Sequence, residues 1–218
     1  LTAWEKAWLK KHPLIRFAVT NFIEPVDIVD TSGNYSGFNA DLIRLLNAKL
    51  AINIVPEFYD VWGDVVVAVR AGRVDGAFSL SRTPERERDL FFTQPYAFDP
   101  IILLVAEKHG DIAGWNELSG RRVSVVKEAS ILANVRALVG SGEVVEADSE
   151  AAALKMLAEG ESDAHVSWQI PYGNEQRRRP VPELKVVATR ITEGSSLRIA
   201  IPKDRPALYG LIRKGLEA

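Results

Sequence analysis

Apolar residues along this chain follow two periods in alternation. Short runs of strand length occupy residues 14–19, 53–58 and 74–80. Between them, apolar positions recur every three or four residues, as on one face of a helix. In 39–50, Leu42, Ile43, Leu45, Leu46 and Leu50 are read on one side. A second helix, 64–71, stops at Gly72, where a left-handed cap favours glycine. A short helix opens the chain: Thr2-Ala3-Trp4-Glu5 has capping-box spacing, Trp4 and Trp8 share a face, and Pro13 ends it. Ser32-Gly33-Asn34 signals a turn, and Thr83-Pro84 places a capping hydroxyl and a first-turn proline at the start of another helix.

The run 98–105 is strongly apolar, broken only by Asp99 and Pro100, and reads as a strand crossing between two lobes. The alternation then restarts. Strands are expected at 122–126, 143–146, 163–167, 184–191 and 197–201. Helices are expected at 130–139, in a segment capped by Asp148 and stopped at Gly160, and from Pro206 onward with Leu208, Leu211, Ile212 and Leu216. A short signature also occurs twice. Gly72-x-x-Asp75-Gly76-x-x-Ser79 is echoed by Gly160-x-x-Asp163-Ala164-x-x-Ser167, each closing a helix, running into a strand and leading to a new helix-forming segment. Together these patterns predict an α/β fold of two similar lobes, each a mainly parallel sheet flanked by helices. Ligands of such sheets bind beyond the carboxyl ends of the strands, which directs Ser79 and Ser167 toward a cleft between the lobes.

Composition narrows the function. The 218 residues carry a net charge of −2, which offers no field for nucleic acid or an anionic membrane. The one basic run, Arg177-Arg178-Arg179, reads as a solvated loop before Pro180. No cysteine is present, which excludes disulfides, thiol nucleophiles and thiolate metal sites. His12, His109 and His165 are scattered, and no zinc spacing, nucleophile elbow or phosphate loop occurs, so neither a metal, a cofactor nor an enzyme is expected. No stretch approaches the ~20 apolar residues of a membrane span. With no initiating Met and no leader-like segment, the chain is expected to be a mature or excised domain whose anchor, if any, lies outside it.

Specific motifs then appear in order. Asn34-Tyr35-Ser36-Gly37-Phe38-Asn39-Ala40-Asp41-Leu42 resembles the G-F-x-x-D-L segment of the family 3 extracellular solute-binding proteins. Trp62, Ala71-Gly72-Arg73-Val74-Asp75-Gly76-Ala77, Ser79-Leu80-Ser81-Arg82-Thr83-Pro84-Glu85-Arg86 and Phe92-Thr93-Gln94-Pro95-Tyr96 follow with that family's spacing. The opening Leu1-Thr2-x-x-Glu5-x-x-Trp8-Leu9-x-x-His12-Pro13 and the closing Leu197-Arg198-Ile199-Ala200-Ile201-x-Lys203-Asp204-x-Pro206 resemble the "Venus flytrap" sensor subgroup of membrane-bound histidine kinases and diguanylate cyclases. The resemblance implies a periplasmic-binding-protein-like fold with a ligand cleft. Lobe 1 would be 1–98 and 192–218, lobe 2 would be 99–191, and two crossing strands would form the hinge. It further implies an extracytoplasmic location, a small-molecule ligand such as an amino acid or other organic acid, and a membrane-anchored signalling partner.

By the same resemblance Arg86 clamps a ligand carboxylate, for which the planar guanidinium fork is suited. The competing reading is a surface arginine paired with Glu85, Glu87 or Asp89. Ser79 and Ser81 either contact the ligand or cap the turn locally. Phe22 and Ile23 fall where the family places an aromatic lid, and Trp62 either walls the pocket or packs in the core. In lobe 2 the loop Lys127-Glu128-Ala129-Ser130 has Glu128 where the family has glycine, with Ser130 retained. The position of the family's ammonium-binding Asp is held by Trp168, an indole that stacks on rings or cations but cannot replace a carboxylate. An aromatic or aliphatic acid is therefore as compatible as a standard α-amino acid. Alternatives are a periplasmic binding protein of an importer, an enzyme of the dehydratase kind with Asp27 or Glu128 as its acid, and a spacer that binds nothing.

Overall fold

The computed structural model describes residues 2–20, 23–107 and 111–217. The chain divides into two compact units, Leu1–Ala97 with Ser196–Ala218, and Phe98–Ser195.

The first unit begins with α1 (Ala3–Lys11), whose capping box is complete: Thr2 Oγ1 accepts from Glu5 N at 3.2 Å, and Glu5 Oε2 accepts from Thr2 N at 2.7 Å. Then come β1 (Ile15–Thr20), the two-residue strands β2 (Ile28–Val29) and β3 (Tyr35–Ser36), α2 (Phe38–Leu50), β4 (Ile54–Tyr59), α3 (Trp62–Arg70), β5 (Gly76–Leu80), β6 (Leu90–Phe92) and β7 (Ala97–Phe98). The second unit contains β8 (Ile101–Ala106), β9 (Arg122–Val126), α4 (Leu132–Val139), β10 (Glu143–Ala147), α5 (Glu150–Glu159), β11 (Ala164–Trp168), α6 (Gln169–Arg178) and β12 (Leu184–Arg190). The chain then returns to the first unit as β13 (Ser196–Pro202) and α7 (Pro206–Glu217).

The two sheets share one plan. Their orders are β4-β1-β5-β13-β6 and β10-β9-β11-β8-β12. In each, the first three strands pair in parallel, and the two that follow pair antiparallel. Because β6 and β12 pair antiparallel with strands that are themselves reversed, four of the five strands in each order run in one sense, as expected of mainly parallel sheets, and one reversed strand, β13 or β8, makes each sheet mixed. A βα pattern specifies the parallel half, but strands such as β8 and β13 arrive from distant segments and insert in the opposite sense.

Side-chain alternation buries both sheet faces. In unit 1, Ile15, Phe17 and Val19 pack with Ile43, Leu46, Leu208 and Ile212 on one face, and Ala18, Ala77 and Ala200 lie against Val65 and Val69 on the other. In unit 2, Leu103, Val123, Val125 and Val166 pack on α4, and Ile102 and Leu104 on Leu154 and Leu157 of α5. No helix among the described residues is long and apolar enough to cross a membrane.

The duplicated signature performs the same task twice. Gly72 (φ +67°) and Gly160 (φ +82°) turn the chain in the left-handed region. The next aspartate then grips the second strand in the order of its sheet, β1 or β9. Asp75 Oδ2 accepts from Arg16 N at 2.7 Å, and Asp163 Oδ2 from Arg122 N at 2.9 Å. A guanidinium completes each turn, from Arg122 itself in unit 2 (Nη2 to Gly160 O, 2.9 Å, and to Asp163 Oδ1, 2.7 Å). In unit 1 it comes from Arg205, far along the chain (Nη2 to Gly72 O, 3.0 Å; Nη1 to Asp75 Oδ1, 2.6 Å).

Several local expectations are corrected. Leu45 is exposed, because at 100° per residue it falls opposite Ile43, Leu46 and Leu50. Ser149, not Asp148, caps α5: Ser149 Oγ accepts from Ala152 N, while Asp148 pairs with Lys127. The run 98–105 is two strands, since Pro100 has no N–H for a ladder and Asp99 N donates to Ser195 O instead. Thr83-Pro84 opens only a 3₁₀ turn at Arg86–Arg88, because β6 must begin at Leu90 to pair with β13. Arg177-Arg178-Arg179 is exposed as expected, but it ends helix α6 instead of forming a loop.

Candidate functional site

The candidate residues lie in both units. In unit 1, Ser79, the last residue but one of β5, has φ +63°, a left-handed conformation uncommon outside glycine. Three bonds hold it there. Its N–H donates to the Tyr96 hydroxyl at 2.8 Å, its Oγ lies 3.1 Å from the same hydroxyl, and it accepts from Asn39 Nδ2 at 3.1 Å. Asn39, the second residue of α2, links this cluster to Asp27: its Nδ2 donates to Asp27 Oδ1 at 3.0 Å and its Oδ1 accepts from Tyr96 at 3.1 Å. Asp27 also accepts from Tyr35 at 2.5 Å and from Thr20 at 2.9 Å. Burial raises the Asp27 carboxyl above the usual carboxylate range, opposed by these donors. Burial also raises the Tyr35 and Tyr96 hydroxyls, so both stay protonated donors.

Of this network the sequence pointed only to Ser79 and, as a possible acid, Asp27. At 2 % exposure and with three donors on it, Asp27 is positioned as a structural acceptor. The signal for Asn39, Tyr35 and Tyr96 lay inside the quoted motifs, as polar residues beside apolar helix and strand positions. Phe38, exposed at the start of α2, stacks on Tyr96 with ring centroids 5.7 Å apart.

Arg86 and Ser81 are in direct contact. Arg86 is 5 % exposed, and its Nη1 donates to Ser81 O at 2.9 Å. Its backbone N–H is taken by Thr83 Oγ1 at 3.2 Å. At that exposure Arg86 is not a surface residue, and among its acidic neighbours Glu85 and Asp89 lie 2.8 and 2.9 Å from Arg70 and Glu87 3.6 Å from Arg82. A single 3₁₀ turn stands where Thr83-Pro84 was expected to open a helix. Trp62 opens α3 and packs, half-buried, against the cluster containing Leu80 and Leu90. Ile23 is half-buried, with its carbonyl accepting from Val26 and Asp27 N–H at 2.7 and 2.8 Å. Phe22 and His109 lie outside the described residues.

In unit 2, Glu128 adopts φ +59° in the turn between β9 and α4, the conformation for which a glycine is suited. Ser130 follows, its Oγ buried with no hydrogen-bond partner. Trp168 ends β11, packs half-buried against the cluster containing Ala129 and Ile131, and donates Nε1–H to Gly194 O at 3.0 Å. Ser130 is flanked by these same residues, so the fold brings it and Trp168 to one region of unit 2. Ser167, expected to face a cleft, is instead buried with its Oγ donated to Glu150 Oε2 at 2.8 Å. Among the described residues no group of three or more His, Asp or Glu is arranged to hold a metal ion.

Two α/β units of one strand plan, the second inserted in the first, define the fold of two-lobed periplasmic binding proteins. The chain belongs to the bacterial extracellular solute-binding proteins, family 3, which it matches over residues 15–218. That membership places the domain outside the cytoplasm. It is 23% identical to the virulence sensor protein BvgS of Bordetella bronchiseptica over 215 residues, 99% of this chain but only 17% of that protein's length. It is 30% identical to the amino-acid-binding protein AabA of Dichelobacter nodosus over 188 residues, 84% of this chain and 74% of AabA. The crystal structure of the Bordetella pertussis BvgS periplasmic VFT2 domain superposes with a TM-score of 0.82 at 23% identity, covering 100% of this chain and 92% of that one.

Proposed function

We propose that this domain is the extracytoplasmic sensor of a membrane-anchored signalling protein and that it binds a small carboxylate-bearing molecule. Arg86, Ser79 and Ser81 supply the contacts of unit 1, with Ile23 and Phe22 as lid and Trp62 as wall. Ser130 and Trp168 supply those of unit 2. The observation that carries this reading is the buried Arg86 guanidinium seated on Ser81 O beside the rigidly held Ser79. A desolvated planar cation is suited to a carboxylate through paired, charge-assisted hydrogen bonds. The unpartnered buried Ser130 hydroxyl supports a second contact, since a ligand oxygen would satisfy it. Trp168 has its N–H committed to Gly194 O, which leaves the ring face as its contribution, open to a ring or a cationic group of the ligand. A ligand engaging both sets shifts the population toward a closed state, with the two crossings of the chain, at 98–99 and at 191–192, as the hinge. No step in this reading is catalytic.

A thermal-shift panel of amino acids, mono- and dicarboxylates and aromatic acids tests it. A true ligand at about 100 times its Kd stabilises the wild type by roughly 2.7 kcal/mol, and the gain is lost in Arg86→Ala and partly restored in Arg86→Lys. Equal stabilisation of wild type and Arg86→Ala would remove Arg86 from the site.

The coverage of AabA favours a second reading, a binding protein that serves an importer. Fractionation of the native full-length protein separates the two. The sensor reading expects it in washed membranes, and release with the soluble periplasmic fraction would overturn that reading in favour of the importer.

A further inference from the structure

The face of unit 2 that packs on α5 carries polar groups in a core position. His165 Nδ1 lies 2.9 Å from Ser124 O and 3.1 Å from Ser124 Oγ, Ser162 Oγ donates to Ser124 Oγ at 3.1 Å, and His165 Nε2 lies 3.3 Å from Glu150 Oε1. The Ser–His–Glu order resembles a hydrolase relay, but Ser124 and His165 have no exposed surface, so no substrate reaches the hydroxyl. The cluster instead fixes Glu150, which also receives Ser167, the residue before Trp168.

Asp99 stands on the other side of the same junction. It is 4 % exposed, and its two carboxyl oxygens lie 3.1 and 3.3 Å from the N–H of Ile170, in the first turn of α6. Its own N–H donates to Ser195 O at 2.8 Å, and Gln169 N donates to the adjacent Pro100 O at 2.9 Å. Asp99 therefore ties together the first residues of unit 2, its last residue and the strand–helix junction that carries Trp168. The groups facing it are the main-chain N–H groups of Gln169 and Ile170 on α6 and the like-charged Glu150 on α5, itself faced by His165 and Ser167 on β11. Burial, with Glu150 adding to it, raises the Asp99 carboxyl to about 7 against the pull of the α6 amides.

We propose that Asp99 is a proton-operated latch on the β11–α6 junction. With a proton on its carboxyl the junction packs as described, and loss of that proton favours arrangements in which the carboxylate reaches water. The packed arrangement keeps its proton up to about 7, whereas an opened one releases it near 3.8. Acid therefore stabilises the packed junction between those values, and the stabilisation disappears as pH rises through the upper one. Where Trp168 takes part in ligand capture, which rests on the reading above, capture becomes acid-favoured.

Carboxyl-carbon NMR of Asp99 in the ligand-free domain tests the latch, with amide exchange at Gln169 and Ile170 measured beside it. The expected result is titration of Asp99 near neutrality, moved downward in Glu150→Gln. The opening constant at the two amides, corrected for intrinsic exchange, rises up to about tenfold per pH unit from pH 5 to 7 and levels off above. In Asp99→Asn it is flat. Residue-resolved readouts are needed because the raised Asp27 in unit 1 gives global stability a slope of the same sign. Titration of Asp99 in the ordinary carboxylate range overturns the latch without recourse to any variant, as does equal pH dependence of opening in wild type and Asp99→Asn. If Asp99 titrates as expected and no compound binds, the latch stands and the binding reading fails.

Discussion

Asp27→Ala is expected to destabilise unit 1 by roughly 3–5 kcal/mol, one of the two largest effects of any single substitution argued for this domain. The carboxylate accepts from Tyr35, Asn39 and Thr20, which come from β3, α2 and the end of β1. Alanine leaves those donors facing a void, each at a cost of about 1–3 kcal/mol, and loosens the Asn39–Tyr96–Ser79 chain that holds the candidate site. Asp27→Asn keeps one acceptor oxygen, and its amide can donate to Thr20, so it is expected to cost about 1–2 kcal/mol. Urea unfolding at constant slope measures both. A near-neutral Asp27→Ala would show that water satisfies these donors and that the network does not organise the unit. The pH dependence has a definite sign: because burial raises Asp27 in the folded state, its contribution to stability declines as pH rises.

Gly37→Ala is expected to cost about 4 kcal/mol, combining strain of about 1–3 with overpacking of about 1–3. Gly37 caps α2 without a side chain at φ +103°, ψ −178°, a region essentially restricted to glycine. The first amides of α2 are satisfied by the preceding loop instead, Phe38 N on Pro25 O and Asn39 N on Val26 O, both at 3.1 Å. An added Cβ would sit 2.8 Å from those two carbonyl oxygens, so the loop must withdraw and the helix start lose its partners. Gly33→Ala is the matched control. Its φ of +84° carries the strain, but nothing lies within 4 Å of the new methyl, so the cost is about 1 kcal/mol. Similar losses at the two glycines would mean that backbone strain alone, and not the packed carbonyls, sets the cost.

These two residues show how unevenly the site was written in the sequence. Gly37 stood out within its motif, but its reason, two carbonyls packed on its Cα, required the loop at 25–26 to be placed. Asp27 drew notice only as a possible acid, because nothing local states that three donors converge on it. Arg86 was legible as a ligand candidate. Its environment was not, since the expected helix gave way to a 3₁₀ turn and the guanidinium is buried with a contact to Ser81 O. Asp99 was read as an interruption in an apolar run, and its role at the start of α6 follows from a contact 71 residues away.

What the sequence by itself determined was everything governed by neighbours within a few positions. That includes the βα alternation, the Thr2–Glu5 box, the stops at Gly72 and Gly160 and the repeated aspartate signature. Side-chain period and caps act over one or two turns, so local residues suffice to specify them. Only the tertiary structure decided the antiparallel insertion of β8 and β13, the shortening of the turn at Arg86, and the use of Arg205 in unit 1 for the task Arg122 performs in unit 2. Strand pairing and guanidinium reach are settled by which distant segments meet in space, and the pattern along the chain carries no record of that.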